Sequence, residues 1–377
     1  MSEMGNYHIN FQVLLDAIGL VQGTTLGILL LVLNRRKYRS TFFLGLFLIF
    51  YSLELATWIS VNTQIAIDSP KFFLLPLNFS WLLFPLYFLY TQQVSILSEE
   101  KTKYWLLLPG ILSLIFQIYI FFLPFESKEI IANSTWHTFV FWKLGNFYSW
   151  IIGGWNLWLL HKHSEEIQNT YSYLAFKELR WARNFLIYLL ATSILSHLIA
   201  YVFTDFLKDN ILFSIMDLIA IYWVSYFGIV QRNVRAVLTK NLSAEIPGNT
   251  FLDPKYASES VPEKLEDLMQ KIDAHMQTEE SFMNPELTIV ELAEGLMVHP
   301  KLVSSAINTV KKQNFNSYVN QFRIKKAEAL LRNNDDSYLS MEGICNKVGF
   351  KSKSAFYSAF KKETGTTPSK FKEKLVA

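Results

Sequence analysis

The 377-residue chain is 51% hydrophobic and 18% charged with a formal net charge of +3, which is too apolar for a simple soluble domain and long enough for two domains. Its one cysteine, Cys345, excludes an intrachain disulfide and a cysteine-based zinc site. The near-neutral charge conceals two opposed stretches: residues 241–298 hold three Lys against twelve Asp and Glu, and residues 299–377 hold fifteen Lys and Arg against six acidic residues.

Up to Lys240 the chain is a series of apolar runs of about 20 residues, the length that crosses a hydrocarbon core of roughly 30 Å. Seven membrane helices are predicted, at 9–33, 41–61, 72–94, 104–124, 136–160, 184–204 and 211–231. Met1 to Asn10 contains no Lys or Arg, so the first run is expected to stay as a membrane helix rather than act as a cleaved leader. One alternating set of connections carries thirteen Lys and Arg, and the other only Lys71, Lys128 and Lys208. Basic connections stay in the cytoplasm, so the N-terminus is expected outside and the C-terminal part inside.

Polar residues inside these spans are costly and face a partner or a cavity. They are Asp16, Glu54, Asn78, Gln117, Lys143, Asn146, His197 and Asp217. With the orientation above, all but Asn146 fall about six to eight residues from the outer end of their spans, one layer roughly 10 Å deep at 1.5 Å per residue. Two readings stay open: a ligand pocket with Lys143 and His197 set against Asp16, Glu54 and Asp217, or a hydrogen-bond network that only fixes helix packing.

Residues 241–262, with Pro247, Gly248, Pro254 and Pro262, read as a linker. Leu265, Leu268, Ile272 and Met276 then recur at helical spacing, so 263–277 is an amphipathic helix that either packs on the following domain or forms a short dimer seam. Two helix-turn-helix units follow, at 286–311 and 338–363. In the first, Thr288 and Glu291 form a capping-box pattern and Pro300 opens a second helix to about Val310. Val303 and Ile307 point inward; Lys301, Ser304, Ser305 and Asn308 point outward. The second unit starts at Ser340, turns at Gly349 and Phe350 and restarts near Ser352, with Phe356 and Phe360 inward and Lys353, Ser354, Tyr357 and Lys361 outward. Cys345 falls in its apolar pattern as a small buried residue. A helix at 317–332 joins the units, with Tyr318, Phe322, Ala329 and Leu330 as core positions and Arg323, Lys325 and Lys326 among its polar ones.

Each second helix is short, polar on one side and basic, which suits a major groove about 12 Å wide. The DNA-contacting set expected from this pattern is Lys301, Ser304, Ser305, Asn308, Ser352, Lys353, Ser354, Tyr357 and Lys361.

The run from Leu287 to Leu331, with Leu292-Ala293, Asn320 and Arg323-Ile324 before Ala327, is similar to the first half of the AraC/XylS-type DNA-binding domain. Val348 to Phe356, then Phe360-Lys361-Lys362-Glu363-Thr364-Gly365, Thr367-Pro368 and Phe371, resembles that family's C-terminal signature. The resemblance covers about a quarter of the chain. It implies two helix-turn-helix units joined by a rigid helix, reading successive major grooves of promoter DNA, with a homodimer as a further expectation. Gly343 stands where an acidic residue would complete a capping box with Ser340, and Ser305 and Ser358 stand where the family often has Arg.

The expected protein is therefore all-α: a polytopic transmembrane bundle (1–240), a linker (241–262) and an AraC-like DNA-binding domain (263–377), in the bacterial cytoplasmic membrane. Its expected partners are double-stranded DNA, the lipid bilayer and an unknown external signal. No cofactor, metal site or catalytic residue is expected, since no zinc-protease HExxH, phosphate-binding glycine loop or serine nucleophile elbow occurs. The alternatives are a transporter or membrane enzyme whose DNA-binding domain reports its own activity, and a DNA-binding protein merely anchored at the membrane.

Overall fold

The computed structural model describes residues 10–34, 40–63, 65, 72–97, 102–174, 177–202, 211–231, 262–332 and 340–376. Of the predicted linker 241–262 only Pro262, which opens a helix, is among them; residues 241–261 and the basic residues at 35–39 and 232–240 lie outside. Among the described residues every regular element is helical, and one isolated antiparallel bridge pairs Tyr171 with Thr288. The chain forms two compact units, Met1–His163 with Leu179–Ala244, and Ser164–Glu178 with Glu245–Ala377.

In the N-terminal unit the helices are α1 (Phe11–Leu33), α2 (Phe42–Asn62), α3 (Leu83–Val94), α4 (Leu108–Phe121), α5 (Phe125–Ala132), α6 (Thr135–Thr138), α7 (Gly145–Thr170, of which 164–170 belong to the other unit), α8 (Arg180–Val202) and α9 (Ile211–Val230). Among the described residues five stretches are long and apolar enough to cross a membrane: Phe11–Leu33, Phe42–Asn62, Tyr104–Phe121, Arg180–Ile199 and Ile211–Val230. Apolar side chains such as Ile111, Leu112, Ile115 and Tyr119 stand exposed on one of them, a display that soluble surfaces avoid.

The predicted spans at 72–94 and 136–160 are not single apolar helices. Residues 73–82 are non-helical, and only the 12-residue α3 follows, with all but one of its side chains buried. Such backbone survives away from water only where protein groups satisfy it. Here the Gln117 side chain accepts from Asn78 N (3.1 Å) and donates to Asn78 O (2.8 Å), and Glu54 Oε1 accepts from Phe79 N at 2.6 Å. The span expected at 136–160 is a π-helical stretch, Phe139–Leu144, running into α7.

α1 and α2 pack closely because Gly19, Gly23 and Gly27 repeat every four residues along their contact, as small residues do where helix backbones approach. A Cβ on Gly27 would lie 2.9 Å from Gly45 O, and one on Gly23 would run into Ser52.

The C-terminal unit contains α10 (Pro262–Thr278), α11 (Ile289–Gly295), α12 (Pro300–Val310), α13 (Phe315–Arg332), α14 (Met341–Lys347), α15 (Lys353–Thr364) and α16 (Pro368–Val376). It has two cores. α10 contributes Leu265, Met269, Ile272 and Met276 to the first, together with Leu292 from α11 and Val303 and Ile307 from α12. The apolar stripe of α10 is therefore occupied within the domain. The second core gathers Ile324, Ala327 and Leu331 of α13 with Ile344, Cys345, Phe356 and Phe360.

α13 serves both cores, giving Phe315, Tyr318 and Val319 to the first and Ile324, Ala327 and Leu331 to the second. Its buried face rotates along its length to reach both. For that reason Ala329, expected inside, is exposed, and Arg323, expected among the polar positions, is 1% exposed.

Candidate functional site

The polar residues of the N-terminal unit divide between two cavities. A cavity of about 220 Å³ is lined by Glu54, Asn78 and Gln117, the three residues that support the non-helical stretch before α3. A larger one, about 670 Å³, is lined by Asp16, Lys143, Asn146, His197 and Asp217, with Trp58, Phe84 and Trp142 among its apolar walls. That volume lies within the range of small-molecule sites, and the mix of aromatic walls with a few polar groups is their usual chemistry.

Within the larger cavity the Tyr51 hydroxyl donates to Asp217 Oδ1 at 2.6 Å. His197 Nδ1 lies 2.7 Å from Ser193 O, and a carbonyl only accepts, so this nitrogen carries the proton. Asp16 is 2% exposed, yet its Oδ2 has no hydrogen-bond partner among the described residues. Lys143 sits in the π-helical stretch, a distortion that recurs at functional sites.

In the C-terminal unit, Thr288 caps α11 with both bonds of the capping box: Glu291 N to Thr288 Oγ1 at 3.2 Å and Thr288 N to Glu291 Oε2 at 2.8 Å. Pro300 opens α12, and His299 Nδ1 caps it by accepting from Lys301 N, a role its sequence position did not announce. Lys301 and Asn308 are exposed on α12, with Ser304 and Ser305 half-buried beside them; Asn308 Nδ2 donates to Ser304 Oγ at 3.3 Å.

Ser340 caps α14 through Gly343 N, and Ser352 caps α15 through Ala355 N. Between them Gly349 has φ +91°, and a Cβ there would lie 2.7 Å from Met283 O, so this turn needs glycine twice over. Lys353, Ser354 and Lys361 are exposed on α15, and Ser352 is half-buried at its start. Tyr357 differs from the rest of the expected set: it is half-buried against the second core, and its hydroxyl lies 2.9 Å from Ser369 Oγ on α16.

Residues 292–374 match the family model described as a helix-turn-helix domain. The C-terminal domain is of the AraC type. No curated protein and no solved structure matches the chain.

The buried Arg323 of this AraC-type domain is where its parts meet. Nε donates to Phe282 O (2.7 Å) and Nη2 to Asn284 O (2.8 Å) and Ser172 Oγ (3.1 Å), while the guanidinium stacks over Phe350 at 5.4 Å. Burial draws its pKa down to about 10, so it keeps its charge at neutral pH. Lys351, in the turn before α15, pairs with Glu286 and lies over the Tyr173 ring at 5.3 Å. The hydrogen bond from Lys351 holds the Glu286 carboxyl below its ordinary 4.5. Lys351 lies within the family-like signature, but its engagement by Glu286 and Tyr173 depends on contacts distant in sequence.

Proposed function

We propose that the chain is a membrane-bound one-component transcription regulator: its N-terminal helices hold a receptor for an external or membrane-borne signal, and its cytoplasmic AraC-type domain binds promoter DNA sequence-specifically. The observation that carries this reading is the pairing, in one chain, of a basic two-unit helix-turn-helix domain with an apolar helical unit whose large cavity gathers Asp16, Lys143, Asn146, His197 and Asp217. Asp16, Lys143, Asn146, His197 and Asp217 are the ligand-contacting candidates. Glu54, Asn78 and Gln117 are assigned a scaffold role, since each bonds to the backbone or borders a bonded pair in the non-helical stretch. Lys301, Asn308, Lys353, Ser354 and Lys361 are the candidates for DNA contact, with Ser304, Ser305 and Ser352 at the margins. The bias of basic residues among the connections supports an outside N-terminus and a cytoplasmic C-terminal domain.

The test is binding of the full-length protein, in lipid nanodiscs, to genomic fragments that include its own upstream region, at several salt concentrations. Fragment-selective binding that weakens with salt and falls on Lys353→Ala supports the reading. Uniform binding to every fragment rejects sequence-specific regulation.

A further inference from the structure

The C-terminal unit contains a segment from outside the DNA-binding domain. Residues 164–178, the end of α7 and the connection to α8, belong to it. Ser172 N donates to Leu287 O at 3.1 Å beside the Tyr171–Thr288 bridge, so one residue pair is joined as in an antiparallel sheet. Asn316 Nδ2 donates to Ser172 O (2.7 Å), Asn314 Nδ2 to Gln168 Oε1 (2.9 Å), and Arg323 Nη2 to Ser172 Oγ (3.1 Å). Tyr171 and Ser172 are buried, at 5% and 4% exposure. The segment thus touches the approach to α11, the joining helix α13 and, through Tyr173 and Lys351, the turn before α15.

Two of these places bear on how such a domain docks on DNA. In helix-turn-helix docking the first helix crosses the sugar-phosphate backbone while the second enters the groove. The segment is paired to Leu287 and Thr288, the residues that lead into the first helix of the first unit. Lys351 immediately precedes the cap of the second unit's recognition helix and is the kind of cation that meets a phosphate, but Glu286 and Tyr173 engage it.

Building on the regulatory reading above, we infer that residues 168–173 are a built-in inhibitory ligand of the DNA-binding domain, and that their docking and DNA binding exclude one another. The segment is covalently continuous with α7 and α8. Those helices carry Asn146, Ser149, Tyr188 and His197 of the large cavity, so occupancy of the cavity bears directly on the two helices that hold the inhibitor. Being tethered at both ends, it acts at high effective concentration without needing a large contact. Reciprocity follows: whatever the segment does to DNA affinity, DNA does to docking of the segment.

The test uses full-length protein in nanodiscs with Tyr171→Cys and Thr288→Cys together. Directly opposed residues in an antiparallel pair are about 4.5–5.5 Å apart at Cα, within disulfide reach, and the native Cys345 is buried. The oxidised protein is expected to bind its upstream DNA fragment at least about tenfold more weakly than the same sample after reduction, which controls for folding within one molecule. Ser172→Pro, which removes the donor to Leu287, is expected to bind more tightly than wild type, and saturating DNA is expected to slow disulfide formation. Equal affinity of oxidised and reduced forms, or failure of the disulfide to form, overturns the inference while the regulatory reading stands. A cross-link that forms readily in a protein that binds no DNA in either redox state overturns the regulatory reading and the inhibition with it.

Discussion

Arg323 holds together groups that are far apart in the sequence. Its side chain satisfies backbone carbonyls at 282 and 284 and the hydroxyl of Ser172, and its flat face covers Phe350. Arg323→Met keeps much of the bulk but leaves the acceptors on the buried Phe282 and Ser172 unpaired, at a cost of about 2–3 kcal/mol. Hydrogen exchange is expected to accelerate at the amides flanking 282–287 and 348–350 together, and an effect confined to one of the two would deny the bridging role. Glu286 offers a titration at the same scale. Its pKa is depressed in the folded protein, so the stabilisation from pairing with Lys351 is complete above the ordinary value of 4.5 and is lost as pH falls through the lower, folded value. A carboxyl-carbon NMR titration should place the Glu286 midpoint below 4.5, and Lys351→Gln should return it towards that value.

At the scale of elements, the break before α3 shows what an apolar run conceals. Residues 72–94 have the length and composition of a membrane helix, yet the chain is non-helical over 73–82 because Glu54 and Gln117, on other helices, supply the bonds that helix would have made. No local pattern announces partners 25 and 39 residues away. Gln117→Leu should therefore destabilise the N-terminal unit by about 2–4 kcal/mol, since it strands both polar groups of the Asn78 peptide in an apolar setting. Monodisperse recovery after heating in detergent measures this, and recovery equal to wild type would mean the stretch has another support. The helix-turn-helix elements were more legible. Thr288, Pro300, Ser340, Ser352 and Gly349 are local signals for caps and a turn, and each acts where its chemistry points. Ala329 and Arg323 do not follow a single helical face, because α13 serves two cores. The layer of polar spans was visible as a set, but its division into scaffold and cavity was not, because that depends on which helices are neighbours.

For the whole molecule, the choice lies between a receptor and a mere anchor, and the two cavities separate these readings. An anchor needs the scaffold residues Glu54 and Gln117 for stability but has no use for Lys143 or Asp217 in the larger cavity. A receptor needs both sets, for different reasons. Lys143→Met and Asp217→Asn are therefore expected to leave the amount of folded protein within about twofold of wild type, since the first removes an exposed cation and the second keeps the hydrogen-bonding geometry towards Tyr51. Their effect should appear in the transcript levels of the target genes, which would stop tracking the growth conditions that alter them in wild type. Replacing α1 to α9 by an unrelated membrane anchor should abolish the same response. If both the cavity variants and the anchor fusion preserve it, the N-terminal unit serves only for attachment. If the fusion abolishes the response and the cavity variants preserve it, the signal enters the N-terminal unit elsewhere than at Lys143 and Asp217.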